Sequence, residues 1–157
     1  MLNAEWQQKQ LQMLKADLPE GWVIACLDFA DNFLCKFQDE VQSAHWAYKQ
    51  VTLFPSVFFY RCQVRCRELR HDEVAFLSDD LHKDASMSQM FIENILQRLQ
   101  RNIGASLKKV ILVSDGCAAQ FKSKLPFLLL SHTRAGSGFH EVTIERVFFR
   151  ARHGKNA

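Results

Sequence analysis

At 157 residues, 48% of them hydrophobic, the chain has the size and apolar content of one globular domain, and nothing in it calls for two. Its 20 Lys+Arg against 17 Asp+Glu give a net charge of +3, which permits a polyanionic partner without requiring one. The longest apolar run, Leu125 to Leu130, is far too short to span a bilayer, and charges at Glu5, Lys9, Lys15, Asp17 and Glu20 exclude a signal peptide, so an intracellular protein with no membrane partner is expected.

Five cysteines, an odd number scattered through apolar segments, point to a reducing compartment. Cys62 and Cys66 have the look of half a zinc site. No second Cys/His pair stands at ligand spacing, so they read as small buried hydrophobes.

In chain order, Ala4 to Lys15 reads as a polar helix anchored by Trp6, Leu11 and Leu14 and ended by Leu18-Pro19-Glu20-Gly21, making residues 1–21 a lead-in to a domain over 22–157. Trp22 to Phe29 is a continuous apolar run, the mark of a central strand covered on both faces, and Asp28 interrupts it. Gln38 to Trp46 reads as an inserted helix. Gln50 to Cys66 is strand-like, split at Pro55; His71-Asp72 reads as a turn, and Glu73 to Ser78 as a third strand. Ser86 to Ile103 is the clearest helix, with Ser86 and Gln89 as a capping box, an apolar stripe through Ile92, Ile95, Leu96, Leu99 and Ile103, and Gly104 as the stop. Lys109 to Ser114 is a buried strand, Leu125 to His132 a helix starting near Pro126, Ala135 to Gly138 a loop, and Glu141 to Phe149 a last strand before a basic tail.

The order β-β-β-α-β-α-β, with right-handed crossovers, predicts an α/β fold of the ribonuclease H-like type. Its mixed five-stranded sheet joins a three-strand antiparallel meander to parallel strands, flanked by helices. In that layout Asp28 and Asp115 fall on adjacent parallel strands roughly 4.8 Å apart. Two carboxylates so close repel, and a hard cation such as Mg2+ or Mn2+ relieves the repulsion. With substrate phosphate completing their coordination, two such ions activate a hydroxyl and stabilise the leaving oxygen of a phosphodiester. The structural reading stands beside this one: strand-ending Asp-Gly is ordinary turn chemistry, and Asp28 could satisfy a backbone group or an arginine. Asp31, Asp79, Asp80 and Asp84 compete as acids but read as solvated loop residues. Gln120, Lys122 and Lys124 could meet phosphates or simply form a wet surface.

The stretches "LDFADNF" (Leu27 to Phe33), "VSDGCAAQFKSK" (Val113 to Lys124) and "ARHGK" (Ala151 to Lys155) resemble motifs of transposon-derived animal proteins with a ribonuclease H-like, DDE-type transposase core. The resemblance implies Asp28 and Asp115 as catalytic metal ligands for Mg2+ or Mn2+. It also implies DNA as partner, a nuclear location, and His153, Gly154 and Lys155 as neighbours of the third ligand. The residues read by their own chemistry as candidate nucleic-acid contacts are Gln120, Lys122, Lys124, Arg152, His153 and Lys155. A third acid should follow His153-Gly154-Lys155, where only Asn156 and Ala157 remain, so the sequence reads as incomplete at its C-terminus. Two alternatives are a decayed or domesticated module that binds nucleic acid without chemistry, and an α/β phosphatase or hydrolase using Asp115 as nucleophile.

Overall fold

A computed structural model describes residues 2–35, 49–62, 67–136 and 141–149. Its elements are α1 (Leu2–Ala16), β1 (Trp22–Leu27), β2 (Phe33–Leu34), β3 (Gln50–Arg61), β4 (Leu69–Ser78), α2 (Ala85–Ile103), a 3-10 turn (Gly104–Ser106), β5 (Lys109–Asp115), α3 (Lys124–Gly136) and β6 (Thr143–Phe149). The inserted helix expected over Gln38 to Trp46 lies outside the described residues.

The sheet runs β2-β3-β1-β5-β6, with β4 paired to β3. β1, β3 and β4 are antiparallel neighbours, whereas β5 pairs parallel with both β1 and β6. This is the meander-plus-parallel layout of a ribonuclease H-like sheet, and it is not the doubly wound parallel sheet that the phosphatase reading needs. The sheet has six strands instead of five because the two-residue β2 pairs Phe33 with Val51 and Leu34 with Gln50. Two residues leave no readable alternation.

Several boundaries differ from expectation. Pro55 does not split β3, which is continuous through it. The carbonyl of Pro55 faces β1 and accepts the Asp28 N–H at 3.4 Å, so its missing N–H also points to that side, and the β1 ladder ends there at Leu27. His71 and Asp72 are not a turn; they sit inside β4, paired with Phe59 and Phe58, and the hairpin bend comes before Leu69. α2 is capped by Asp84 rather than Ser86: the Asp84 side chain accepts the Met87 N–H at 2.9 Å. Gly104 stops the helix as expected, at φ 65°, its N–H donating to the carbonyl of Gln100. α3 starts at Lys124, which leaves Pro126 within the first turn where its missing N–H costs nothing.

Alternation along the strands divides the core in two. On the front face, Val23, Ala25, Leu27, Phe54, Phe58, Val110 and Leu112 pack against α2 through Phe91, Ile92, Ile95, Leu96 and Leu99. On the back face, Ile24, Ile111, Val113 and Leu18 pack with Leu11 and Leu14 of α1. Arg61 ties α1 to the sheet, its guanidinium donating to the carbonyls of Ala16 and Leu18.

Gly21 fixes the register between β1 and β5. Its carbonyl accepts N–H groups from Lys108 (2.8 Å) and Lys109 (3.2 Å), its φ is 79°, and a Cβ there would stand 2.3 Å from the Ser106 carbonyl oxygen. Gly21→Ala is expected to destabilise the fold by about 2–4 kcal/mol, from left-handed strain and the backbone clash together. Denaturant unfolding checks it; a loss under about 0.5 kcal/mol would show that the turn can move aside.

Candidate functional site

The parallel register ends in the pair Cys26 and Val113. Continued by two residues, it sets Asp28 opposite Asp115, each at the C-terminal end of its strand. Both share strand parity with back-face residues, Asp28 with Ile24 and Cys26, and Asp115 with Ile111 and Val113. The two acids line one cavity of about 360 Å3, together with Leu27, Pro55, Ser114 and the back-face residues Cys26, Val113 and Phe149. A topological switch, where β1 turns from an antiparallel to a parallel neighbour, thus opens at its carboxyl end onto two acids.

Asp28 stands one residue beyond β1 and is exposed. The expectation that it interrupts the strand is corrected: Pro55 ends the ladder just before it. Asp115 is the last residue of β5 and half-buried. Its Oδ1 accepts the Cys117 N–H at 3.2 Å, so its turn-forming and site-lining roles coexist in one side chain. Burial pushes the Cys26 thiol up in pKa, with Lys15 opposing, so this cavity residue stays a neutral thiol rather than a nucleophile.

Aromatic packing in the front core holds both acid-bearing segments. Phe29, the residue after Asp28, lies edge-on to Phe54 at 4.7 Å between centroids, and 6.0 Å from Phe121. Phe121, only 1% exposed, comes from the loop after Asp115 and lies 6.3 Å from Phe54. That loop is a tight turn in which Phe121 and Lys122 both donate to the Cys117 carbonyl. Arg146 of β6 pins it from the far side through a 3.0 Å hydrogen bond to the Phe121 carbonyl. Burial pulls the Arg146 pKa down to about 10, so the guanidinium remains cationic at neutral pH. Phe121 does not stand out as a site residue in the sequence, its only signal being an isolated apolar residue in a polar run, whereas Arg146 stands out only as one of the basic residues crowding the C-terminus that could meet phosphates.

The loop leaves Gln120 half-buried and Lys122 exposed, and Lys124 exposed at the start of α3. Arg152, His153 and Lys155 lie outside the described residues, as does Cys66. The competing acids have structural work: Asp79 pairs with Lys49 at 3.0 Å, and Asp84 caps α2. Asp80 accepts both the backbone N–H and the ring of His82, and those bonds hold its carboxyl below the usual range.

Among the described residues no three His, Cys, Asp or Glu side chains gather as a metal-ligating group. Two carboxylates at one cavity are oxygen donors of the kind Mg2+ and Mn2+ accept, with water and phosphate completing the shell, so the pair fits such an ion. No described helix is long and apolar enough to cross a membrane.

A family model described as a domain of unknown function (DUF8701) matches residues 7–157. The comparison with curated proteins finds no match. Among solved structures, the chain is similar to the crystal structure of the Mos1 mariner paired end complex with Mn, with 14% sequence identity and a TM-score of 0.41. The similarity covers 90% of this chain and 40% of that one, so the chain spans less than half the length of that protein.

Proposed function

The chain belongs to the DUF8701 family, and from its facing carboxylates we propose that it is the ribonuclease H-like core of a DDE-type, transposase-like protein. The parent protein cleaves and joins DNA strands with Mg2+ or Mn2+ in the nucleus. The single observation that carries this reading is the placement of Asp28 and Asp115, in register at the ends of adjacent parallel strands and lining one cavity.

Asp28 and Asp115 would hold the ion, which supplies charge neutralisation and activation of an attacking oxygen when bound. Asp115 keeps its orientation through the Cys117 N–H. The Phe29, Phe54 and Phe121 cluster fixes the spacing of the two segments. Gln120, Lys122 and Lys124 leave the loop just past Asp115 and would meet the phosphates flanking the scissile bond, with Arg152, His153 and Lys155 of the tail contributing further contacts. A complete two-metal site would use a third acid besides these two.

A second reading, a nucleic-acid-binding module without chemistry, draws on the two-carboxylate count among the described residues. Metal and DNA linkage separates the two. If an ion bridges the carboxylates and a phosphate, Mn2+ tightens DNA binding and DNA tightens Mn2+ binding by the same factor. Fluorescence anisotropy of a labelled duplex, at constant ionic strength with and without Mn2+, is expected to show roughly tenfold tighter binding with Mn2+ in the native chain, within the usual coupling range. Asp28→Asn should lose that gain. An equal Mn2+ effect in both proteins would leave only the non-catalytic reading.

A further inference from the structure

The front face carries a cluster that the two acids do not use. Along β6, Ile144 and Phe148 turn to the front core, and Arg146 shares their parity. α3 lies alongside with Phe127, 48% exposed. The rings of Phe127 and Phe148 meet edge to face, 6.2 Å between centroids and 73° apart. The Arg146 guanidinium carbon stands 5.6 Å from the centre of the Phe127 ring, and the Lys122 Nζ stands 5.7 Å from that of Phe148. Three separate segments therefore place two cations and two rings in one contiguous patch, at the edge strand of the sheet.

Among the described residues, no carboxylate compensates the charges of this patch. Lys49, Arg67 and Lys109 each have a carboxylate within 3.0 Å. Lys122 and Arg146 have no such ion pair among the described residues. Arg146 instead donates to a neutral carbonyl, that of Phe121, and its Nε has no acceptor there. A half-exposed ring with one such cation beside it, and a second on the neighbouring ring, suits a ligand with both an open π-face and an adjacent negative charge. A nucleotide has both, and only an unpaired one offers its base face, because a duplex hides those faces in the stack.

We infer that Lys122, Phe127, Arg146 and Phe148 form a binding site for an unpaired nucleotide, with its base on Phe127 and the neighbouring phosphate held by Lys122 and Arg146. An enzyme that opens or transfers a DNA end has such unpaired nucleotides beside its cut. The site shares Lys122 and the nucleic-acid partner with the proposed function, and rests otherwise on Phe127, Arg146 and Phe148. It lies on the opposite face of the sheet from the acids' cavity and needs no metal.

The test is fluorescence anisotropy of a labelled 12-nucleotide oligo(dT), in EDTA at about 50 mM salt, where phosphate contacts are strong. The native chain is expected to bind oligo(dT) more tightly than a duplex of equal length. Phe127→Ala should weaken oligo(dT) binding roughly tenfold, while Phe127→Trp retains it. Lys122→Ala should weaken it and reduce the salt slope by about one. Phe127 and Lys122 are surface positions, so these variants keep the fold, and a thermal melt of each verifies that. Unchanged binding in Phe127→Ala, or tighter binding of the duplex, overturns the inference. So does displacement of oligo(dT) by polyglutamate at equal charge, which would identify a plain cationic surface suited to acidic peptides. Because EDTA removes the ion, failure here leaves the carboxylate site standing, and loss of Mn2+ linkage leaves this site standing.

Discussion

Phe54→Ala is expected to cost about 3–5 kcal/mol of stability, the range for deleting a fully buried ring. Phe54 is 0% exposed and stacks on Phe91 at 4.8 Å, with Phe29, Phe121 and Phe76 around it. Those partners come from four separate segments, so the vacated space cannot be closed by the movement of one. For a chain of this length the loss corresponds to a fall in Tm of roughly 10 °C or more. The same substitution loosens Phe29 and Phe121, which anchor the segments bearing Asp28 and Asp115. Metal affinity should therefore fall in a protein whose carboxylates are untouched. A Tm within about 2 °C of the native value would show that the ring cluster is not the keystone described here.

Asp115→Asn and Asp28→Asn should act in the opposite sense on stability. Like charges on facing strand positions destabilise a sheet by about 0.2–1 kcal/mol, so removing either charge in metal-free buffer should leave Tm unchanged or slightly raised. Asparagine keeps the Oδ1 acceptor, so the bond from the Cys117 N–H, and the turn it makes, survive at position 115. Mg2+ reverses the order. At a hundred times its dissociation constant an ion stabilises the native chain by about 2.7 kcal/mol, and the Asn variants should gain little or nothing. Thermal melts with and without Mg2+ read both effects. Variants that are strongly destabilised without metal would mean that the acids serve the fold, the turn-chemistry reading of Asp115.

Much of the architecture was legible because long, strongly patterned segments report themselves. The stripe from Ile92 to Ile103 and the apolar runs of β1 and β5 can bury their side chains only in the way observed. Strand order then followed from crossover handedness. Boundaries set by a distant partner were not legible. β1 ends at Leu27 because Pro55, on another strand, has no N–H to give. β4 begins at Leu69, since pairing with β3 overrides the turn character of His71-Asp72. α2 starts one residue after Asp84, and Ser86 would have served as well on sequence alone.

At the site, Asp28 and Asp115 could be picked out as acids at the ends of apolar runs, one a residue further out than expected. The residues that hold them in place could not. Phe121 looks like one apolar residue in a polar loop until Phe54 and Phe29 are seen around it. Arg146 looks like part of a basic tail until its guanidinium is found on the Phe121 carbonyl, 25 residues away in sequence. The basic tail itself, with Arg152, His153 and Lys155, lies outside the described residues.

The central claim is that Asp28 and Asp115 bind one ion together. Electron paramagnetic resonance titration of Mn2+ into the native chain, Asp28→Asn, Asp115→Asn and the double variant tests it most directly. The account predicts saturable binding in the native chain, displaced by Mg2+, and strong non-additivity: either single substitution should weaken Mn2+ nearly as much as both. Single variants that bind Mn2+ like the native chain, or losses that simply add, would contradict a shared site.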